Sequence, residues 1–153
     1  MNYPTIAIDQ FSRSMPMVLN RALDAVMPRF RKIFNDFDLT EQQGRVLRVL
    51  WERNSIAFNE LSAMTLISPP SLVGVVDRLQ RARLVERRRS DSDRRKVSVS
   101  ATRAGLDLKL QIMPRIARSY ADMKQTVDPG SWKAALHGLN QIVAALEKES
   151  KND

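Results

Sequence analysis

Apolar residues recur every three or four positions along most of the chain, which is the spacing that places them on one face of an α-helix. This pattern predicts a mostly helical protein, with a first long helix over about 15–36 that Pro28 kinks or breaks. Thr40, followed three residues later by Gln43, forms a capping box and predicts the start of the next helix. A short helix is predicted after it, over about 59–66.

Another start signal lies at Ser68, since a hydroxyl residue followed by a proline is typical of a helix N-terminus. The helix predicted there covers 69–82 and carries one apolar stripe, while its other faces are polar or basic. Residues 84–89 and 96–100 alternate in the manner of strands and flank a polar stretch. They predict a β-hairpin with a polar, basic tip.

Two further helices are predicted after the hairpin, one capped by Thr102 and the other beginning at Asp128-Pro129. The order of short helix, turn, second helix and basic hairpin is that of a winged helix-turn-helix. The long flanking helices carry more apolar surface than one small domain can bury, so we expect them to meet a second copy of the chain. The predicted boundaries are 39–101 for the winged helix-turn-helix lobe, 8–37 and 102–149 for the dimerisation helices, and 8–149 for the single domain that they form.

The positive charge of the chain is concentrated in its middle. The net charge is +8, and residues 68–105 carry +6 of it, with 10 basic and 4 acidic side chains. Arginine supplies 18 of the 25 basic residues, and its planar guanidinium suits phosphate groups and base edges. This localisation favours a nucleic acid as partner, with an anionic membrane surface as the second candidate.

Several other classes of protein are excluded or disfavoured. The chain has no cysteine, which excludes disulfides, thiolate metal sites and a cysteine nucleophile. No apolar run approaches the roughly 20 residues that span a bilayer, and the N-terminus lacks the layout of a signal peptide, so a soluble cytoplasmic protein is expected. No cluster of His, Asp and Glu has metal-ligand spacing, and no glycine-rich phosphate loop or catalytic constellation is present. We therefore expect no enzyme, no metal, no cofactor and no membrane association.

The predicted helix over 69–82 is the candidate DNA-reading element, because the second helix of a helix-turn-helix enters the major groove. Its N-terminal amides suit a phosphate. Val73 offers an apolar contact, most naturally to a thymine methyl group, although an ordinary packing role is an equal alternative, and Gly74 permits close approach. Arginines further along the helix are expected to grip phosphate. The residues predicted to contact DNA here are Ser68, Pro69, Pro70, Ser71, Val73, Gly74, Arg78 and Arg81.

The predicted hairpin, called the wing below, is basic enough to enter the neighbouring minor groove, where narrow A·T tracts attract arginine. Asp93 is expected to orient Arg95 through a salt bridge, a role compatible with forming the turn. A solvated surface turn is the alternative for the whole basic tip. Residues 68–105 contain no Phe, Trp or Tyr, so the base stacking that favours RNA is absent and duplex DNA is the better prediction. The basic wing residues are Arg87, Arg88, Arg89, Arg94, Arg95 and Lys96.

The stretch DSDRRKVSVSATRAG, residues 91–105, resembles the wing signature of MarR-family transcriptional regulators. That signature has Asp-x-Arg, a spaced aliphatic residue and then Leu-Thr-x-x-Gly. Leu39-Thr40, Glu60-Leu61 and Leu84-Val85-x-Arg87 also fall where the family has them, so the resemblance covers nearly the whole chain. The stretch LTEQQxRVLR and Pro70-Ser71-Leu72-x-Gly74 resemble, within the family, the repressors of homoprotocatechuate (aromatic acid) degradation operons.

The resemblance implies a homodimer, joined through its N- and C-terminal helices, that binds a near-palindromic operator in double-stranded DNA. It implies a repressor that a small aromatic or phenolic anion releases after binding between the dimerisation helices and the DNA-binding lobe. The alternative function is that of a winged-helix protein that binds RNA or a protein partner and has no small-molecule response.

Three positions depart from the family pattern. Arg83 replaces the glycine that usually ends the recognition helix and costs roughly 1 kcal/mol if its backbone is left-handed. Ala101 replaces the signature leucine, which thins the core under the wing. Gly44 stands where the aromatic-acid subgroup has tryptophan, and the missing indole predicts a void that a small aromatic acid could fill, with Arg21 or Arg45 pairing with its carboxylate. Closer packing of the helix at Gly44 is the alternative.

Overall fold

The computed structural model describes residues 11, 13–53, 55–89 and 97–149. Within these residues the chain forms six α-helices and three short strands, which confirms the mostly α-helical winged helix-turn-helix fold. The helices are α1 Met15–Asn35, α2 Glu41–Glu52, α3 Phe58–Thr65, α4 Pro69–Arg81, α5 Arg103–Thr126 and α6 Pro129–Glu149. The strands are β1 Ile56–Ala57, β2 Val85–Arg89 and β3 Val97–Ala101. Internal contacts divide the chain into two compact units, Met1–Met113 and Pro114–Asp153.

The predicted start of α2 is confirmed in atomic detail. The Thr40 backbone N–H donates to Gln43 Oε1 at 2.8 Å, and the Gln43 backbone N–H donates to Thr40 Oγ1 at 3.3 Å. Both bonds of a capping box are therefore formed, and they satisfy amides that the helix itself leaves unpaired.

The predicted break of the first helix at Pro28 is wrong. Helix α1 continues through Pro28 to Asn35. A proline removes the bond to the carbonyl four residues earlier, here that of Asp24. Both residues are exposed, so water can satisfy this carbonyl and the helix need not end.

The core of the first unit lies where α2, α3 and α4 meet the sheet. Each aliphatic side chain that is fully buried in this core stabilises the fold by about 1.5–3 kcal/mol, compared with the same side chain exposed to water. The burial of one stripe of α4 also turns the opposite face of that helix outward, since an α-helix has only one side toward the core. The fully buried side chains, each with 0% of its surface exposed, include Val46, Leu47, Leu61, Leu72, Val76, Leu79 and Val99.

The sheet places β3 in the centre, with β1 and β2 antiparallel on either side. Val99 of β3 lies opposite Ile56 on one side and Arg87 on the other. The pairing of β2 with β3 is the hairpin that the sequence predicted. Strand β1 was not predicted, because two residues are too few to show a period of two. It ties the segment just before α3 to the base of the wing.

The base of the wing meets the start of α5 at Gly105. A Cβ atom at this position would lie 2.2 Å from the Leu84 carbonyl oxygen, so only glycine allows this approach. Trp51 Nε1 donates to the Gly105 carbonyl at 2.9 Å, and the Thr102 backbone N–H donates to the Leu84 carbonyl at 3.0 Å. The Gly105 backbone N–H in turn donates to Thr102 Oγ1 at 3.2 Å, which confirms Thr102 as the cap of α5.

Helix α6 in the second unit is capped by Asp128, whose Oδ2 accepts the Ser131 backbone N–H at 2.8 Å. This bond confirms the predicted start of the helix. No side chain of α6 is buried. Its large aliphatic residues Leu136, Leu139, Ile142, Val143 and Leu146 are all exposed, which leaves an apolar face on the helix.

No helix in the described part of the chain is both long enough and apolar enough to cross a membrane.

Candidate nucleic-acid interface

The face of α4 opposite its buried stripe is open to solvent. Val73 is 44% exposed on this face. Gly74 beside it is half-buried. The structure thus places on one outward surface the residues that the sequence singled out on this helix, and the remaining ones, all exposed, are Ser68, Pro69, Pro70, Ser71, Arg78 and Arg81.

The N-terminus of α4 is a poorer anion site than predicted. Ser68 is the N-cap residue, but its hydroxyl makes no bond to a backbone amide and donates instead to Ser71 Oγ at 3.0 Å. Pro69 and Pro70 have no backbone N–H to offer. Of the first three residues of the helix, only Ser71 carries an amide hydrogen, so the helix N-terminus offers a phosphate fewer amides than expected.

Arg78 and Arg81 occupy the last turn of α4. Arg81 Nε donates to the Asp77 backbone carbonyl at 3.4 Å. Positive side chains at a helix C-terminus also interact favourably with the helix dipole. Both guanidiniums therefore have a structural reason for their position, and both are exposed on the outward surface where phosphate contact was predicted.

The described part of the wing carries Arg88 and Arg89 on its surface. The Arg88 side chain is 74% exposed, and its Nη2 lies 2.9 Å from Glu86 Oε1 on the same strand. An ion pair this exposed contributes little to stability, so Arg88 is free to exchange its partner for phosphate. The predicted roles of Asp93, Arg94, Arg95 and Lys96 lie outside the described residues.

Arg87 differs from its neighbours in the wing. Its side chain is 26% exposed and turns back toward α4, where Nη1 lies 2.8 Å from Asp77 Oδ1. Nη2 donates to the Val73 carbonyl at 3.1 Å, and the guanidinium carbon lies 5.8 Å from the centre of the Phe58 ring. Arg87 therefore joins β2 to α3 and α4, and the expectation that it extends from the wing toward DNA is not met. Asp77 and Phe58 received no role from the sequence, since only the fold brings them to Arg87.

A groove of about 600 Å³ opens beside this contact, between the start of α3, the exposed side of α4 and the two wing strands. Its lining combines apolar side chains with two arginines. Its lining consists of Ser55, Ile56, Ala57, Phe58, Asn59, Val73, Arg87, Arg89, Val97 and Ser98.

The void predicted at Gly44 is absent, because the ring of Phe34 occupies that space. A Cβ atom at Gly44 would lie 2.5 Å from three carbons of this ring, whereas carbon atoms in good contact are about 3.5–4.0 Å apart. Phe34 is only 3% exposed. The glycine thus lets α1 pack closely on α2, which is the alternative that the sequence left open.

Arg45 is already paired within the protein. Its guanidinium forms an ion pair with the Glu41 carboxylate, and Nη1 donates to the Thr65 carbonyl at 3.0 Å. Glu41 also receives Arg31 Nε at 3.4 Å. These contacts link α1, α2 and the end of α3. Arg21, the other predicted partner of an effector carboxylate, is exposed on α1.

Within residues 11, 13–53, 55–89 and 97–149, no three His, Asp or Glu side chains lie close enough to hold a metal ion. The outward face of α4 and the strand β2 beside it offer guanidiniums, hydroxyls and the exposed side chain of Val73.

This arrangement agrees with comparisons to known proteins. The model of the family described as the MarR family matches residues 37–96. The homoprotocatechuate degradative operon repressor of Escherichia coli is 32% identical over 131 residues, which cover 86% of this chain and 88% of that protein. The chain belongs to the MarR family. The HTH-type transcriptional regulator FarR of Neisseria gonorrhoeae is 33% identical over 135 residues, covering 88% of this chain and 90% of the relative.

A solved structure of the same kind supports the assignment. The crystal structure of NadR in complex with 4-hydroxyphenylacetate superposes on this MarR-family protein with a TM-score of 0.73 at 28% identity, covering 95% of this chain and 97% of the other. The relatives are transcriptional regulators rather than enzymes. Proteins of the MarR family bind DNA through the winged helix and act as dimers.

Proposed function

We propose that this protein is a homodimeric repressor that binds a near-palindromic operator in double-stranded DNA and is released from it by a small aromatic acid. The observation that carries the proposal is the outward face of α4, where an exposed Val73 lies between hydroxyl and arginine side chains and beside a basic wing. A surface of this kind matches the major groove on one element and the adjoining phosphates on the other.

The proposal divides the work among the elements of this surface. Val73 and Gly74 face base edges, and Arg78 and Arg81 hold phosphates, because hydrogen bonds to phosphate position a protein while contacts to base edges specify the sequence. Asp93 orients Arg95 at the tip of the wing. The wing contacts come from Arg88, Arg94, Arg95 and Lys96, and the start of the helix supplies Ser68, Pro69, Pro70 and Ser71.

The dimer is proposed from apolar surface that one protomer leaves uncovered. The aliphatic face of α6 is exposed along the helix, and Met15, Val18, Leu19 and Leu23 are exposed in the first half of α1. An exposed apolar face along a helix is uncommon on monomeric soluble proteins. A second copy of the chain covers these faces and brings two copies of α4 to successive turns of the duplex, roughly 10 bp apart.

The effector is proposed to be a small aromatic carboxylate. The Escherichia coli relative is named for homoprotocatechuate degradation, and NadR was crystallised with 4-hydroxyphenylacetate. Because Phe34 covers Gly44 and Glu41 pairs with Arg45, an acid that binds there must displace that ring and compete with that carboxylate. Arg21 remains the exposed candidate partner on α1.

Operator binding is tested by selecting duplexes from a random pool and measuring affinity at two salt concentrations. If the dimer contacts 6–10 phosphates, affinity falls on the order of a thousandfold or more between 50 and 200 mM salt. Val73→Ser should change the preferred base at one position per half-site by about 1 kcal/mol. Arg95→Ala is the matched control, since it should weaken binding to all duplexes without changing that base.

Three outcomes would contradict the proposal. Equal affinity for selected and random duplexes would exclude sequence-specific recognition, and stronger binding to single-stranded RNA would support the RNA-binding alternative. The effector proposal is tested by adding 4-hydroxyphenylacetate or homoprotocatechuate to the operator complex and following fluorescence anisotropy. An anisotropy that neither acid changes would refute release by this class of compound.

A further inference from the structure

The side chain of Arg87 joins the wing to α4. Its guanidinium touches Asp77 Oδ1 with Nη1 at 2.8 Å and the Val73 carbonyl with Nη2 at 3.1 Å. Val73 and Asp77 are four residues apart, so they mark the two ends of one turn of α4. Because the guanidinium is held at both ends of this turn, it limits how far the wing can slide along α4 and how far the wing can rotate around that helix.

We infer that Arg87 and Asp77 are positioning residues for DNA recognition, which lock the wing at a set distance from the base-reading face of α4. The inference rests on the proposed function and names two residues that it does not use. The contact made by Arg87 acts at Val73 itself, because the carbonyl that accepts from Arg87 belongs to the residue proposed to face the bases.

Arginine is suited to this role in a way that lysine is not. The planar guanidinium presents two separate N–H groups to two acceptors and offers its flat face to an aromatic ring. All three contacts occur here, since the guanidinium carbon also lies 5.8 Å from the centre of the Phe58 ring. An ammonium group would keep the attraction to Asp77 and lose the simultaneous hold on the Val73 carbonyl.

The charge of Asp77 gives a further reason for the inference. Residues 68–105 carry a net charge of +6, and Asp77 places a carboxylate on the helix that faces the DNA. A carboxylate near phosphate is repelled, so its removal should strengthen binding if charge were its only effect. If Asp77 holds Arg87 in place, its removal should instead weaken binding to the operator. The two explanations therefore predict opposite changes in operator affinity when the charge of Asp77 is removed.

The experiment compares Asp77→Asn with Glu86→Gln. Both variants remove one negative charge and keep the shape of the side chain. Glu86 pairs with Arg88 on its own strand, and its Oε1 accepts a hydrogen bond from Ser100 Oγ on the adjacent strand at 3.3 Å. Both of these contacts lie within the wing. Affinity is measured for the selected operator and for a random duplex of equal length.

For Asp77→Asn we expect operator affinity to fall about three- to tenfold while affinity for the random duplex stays the same or rises. For Glu86→Gln we expect both affinities to rise by a similar small factor. Operator affinity that stays the same or rises in Asp77→Asn overturns the inference. A wild-type protein that does not distinguish the two duplexes overturns the proposed function, which is a separate result.

Two further measurements test the contact itself, one with the operator and one without DNA. Arg87→Lys should lose less of the operator preference than Arg87→Met does. Asp77→Asn combined with Arg87→Met should lose no more than Arg87→Met alone, because both changes act through one contact. Amide hydrogen exchange without DNA should rise in 85–89 and 97–101 of Asp77→Asn but remain unchanged in α2. The inference is overturned if the losses of operator preference add in the double variant, or if amide hydrogen exchange in the wing does not change.

Discussion

The contact between Gly44 and Phe34 gives the most direct test of the packing described above. Substitution of alanine at Gly44 adds one Cβ atom, which would lie 2.5 Å from three carbons of the Phe34 ring. Favourable carbon contacts are about 3.5–4.0 Å long, so the ring or α2 must move by about 1 Å. Phe34 is 3% exposed, and it therefore has no solvent-filled space into which it can turn.

The size of the effect follows from two opposing contributions. Replacement of glycine by alanine inside a helix stabilises by roughly 0.5–1 kcal/mol, because the unfolded chain loses freedom. Overpacking of a well-filled core costs about 1–3 kcal/mol. Since the second contribution is larger, Gly44→Ala should lower the free energy of unfolding by up to about 2.5 kcal/mol.

The assay is urea unfolding followed by tryptophan fluorescence, at one protein concentration because the stability of a dimer depends on concentration. Gly74→Ala is the matched control. Gly74 also lies inside a helix, but the nearest atom to its added Cβ would be Arg78 Nη2 at 3.8 Å, an ordinary contact. This variant should therefore be stabilised by roughly 0.5–1 kcal/mol.

Phe34→Leu tests the cause. If the ring is what the new methyl group meets, the combination of Phe34→Leu with Gly44→Ala should cost less than the sum of the two single changes, with a coupling of about 1 kcal/mol. A Gly44→Ala variant as stable as Gly74→Ala would refute this reasoning, since it would mean that free space remains over Gly44 as the missing indole suggested.

The remaining predictions concern other elements. Arg83 has φ 59°, a left-handed backbone conformation that favours glycine. Arg83→Gly should therefore raise the free energy of unfolding by up to about 1 kcal/mol in the same urea assay, and a variant less stable than wild type would contradict this. Hydrogen bonds from the backbone and the hydroxyl of Ser131 lower the pKa of Asp128. The stabilisation that they provide is present above the unfolded pKa of about 3.9 and is lost as the pH falls through the lower folded pKa. The stability difference between wild type and Asp128→Ala should therefore vanish at acid pH, and a difference that persists there would exclude the carboxylate as its source. Ile142→Glu places a charge on the exposed apolar face of α6 and should convert the dimer to monomers in sedimentation experiments, whereas an unchanged dimer would locate the interface elsewhere.

Much of the architecture could be predicted because its signals are local. The capping box at Thr40, the proline after Ser68 and the aspartate before Pro129 each act within about one turn of their own helix, and each start was predicted within one or two residues. The family was also recognisable from contiguous motifs. That Pro69 and Pro70 leave few amides at the start of α4 was equally visible in the sequence, because proline never carries an N–H.

What only the tertiary structure decided depends on residues far apart in the chain. Arg87 and Arg88 are adjacent and chemically identical, yet one holds Asp77 while the other is exposed, because a strand turns successive side chains to opposite faces and α4 covers only one of them. Gly44 could equally have left a void or allowed close packing until the position of Phe34, on another helix, was known. Strand β1 exists because β3 pairs with it. Local pattern determined which helices and strands form, whereas the roles of particular side chains were set by what the fold places against them.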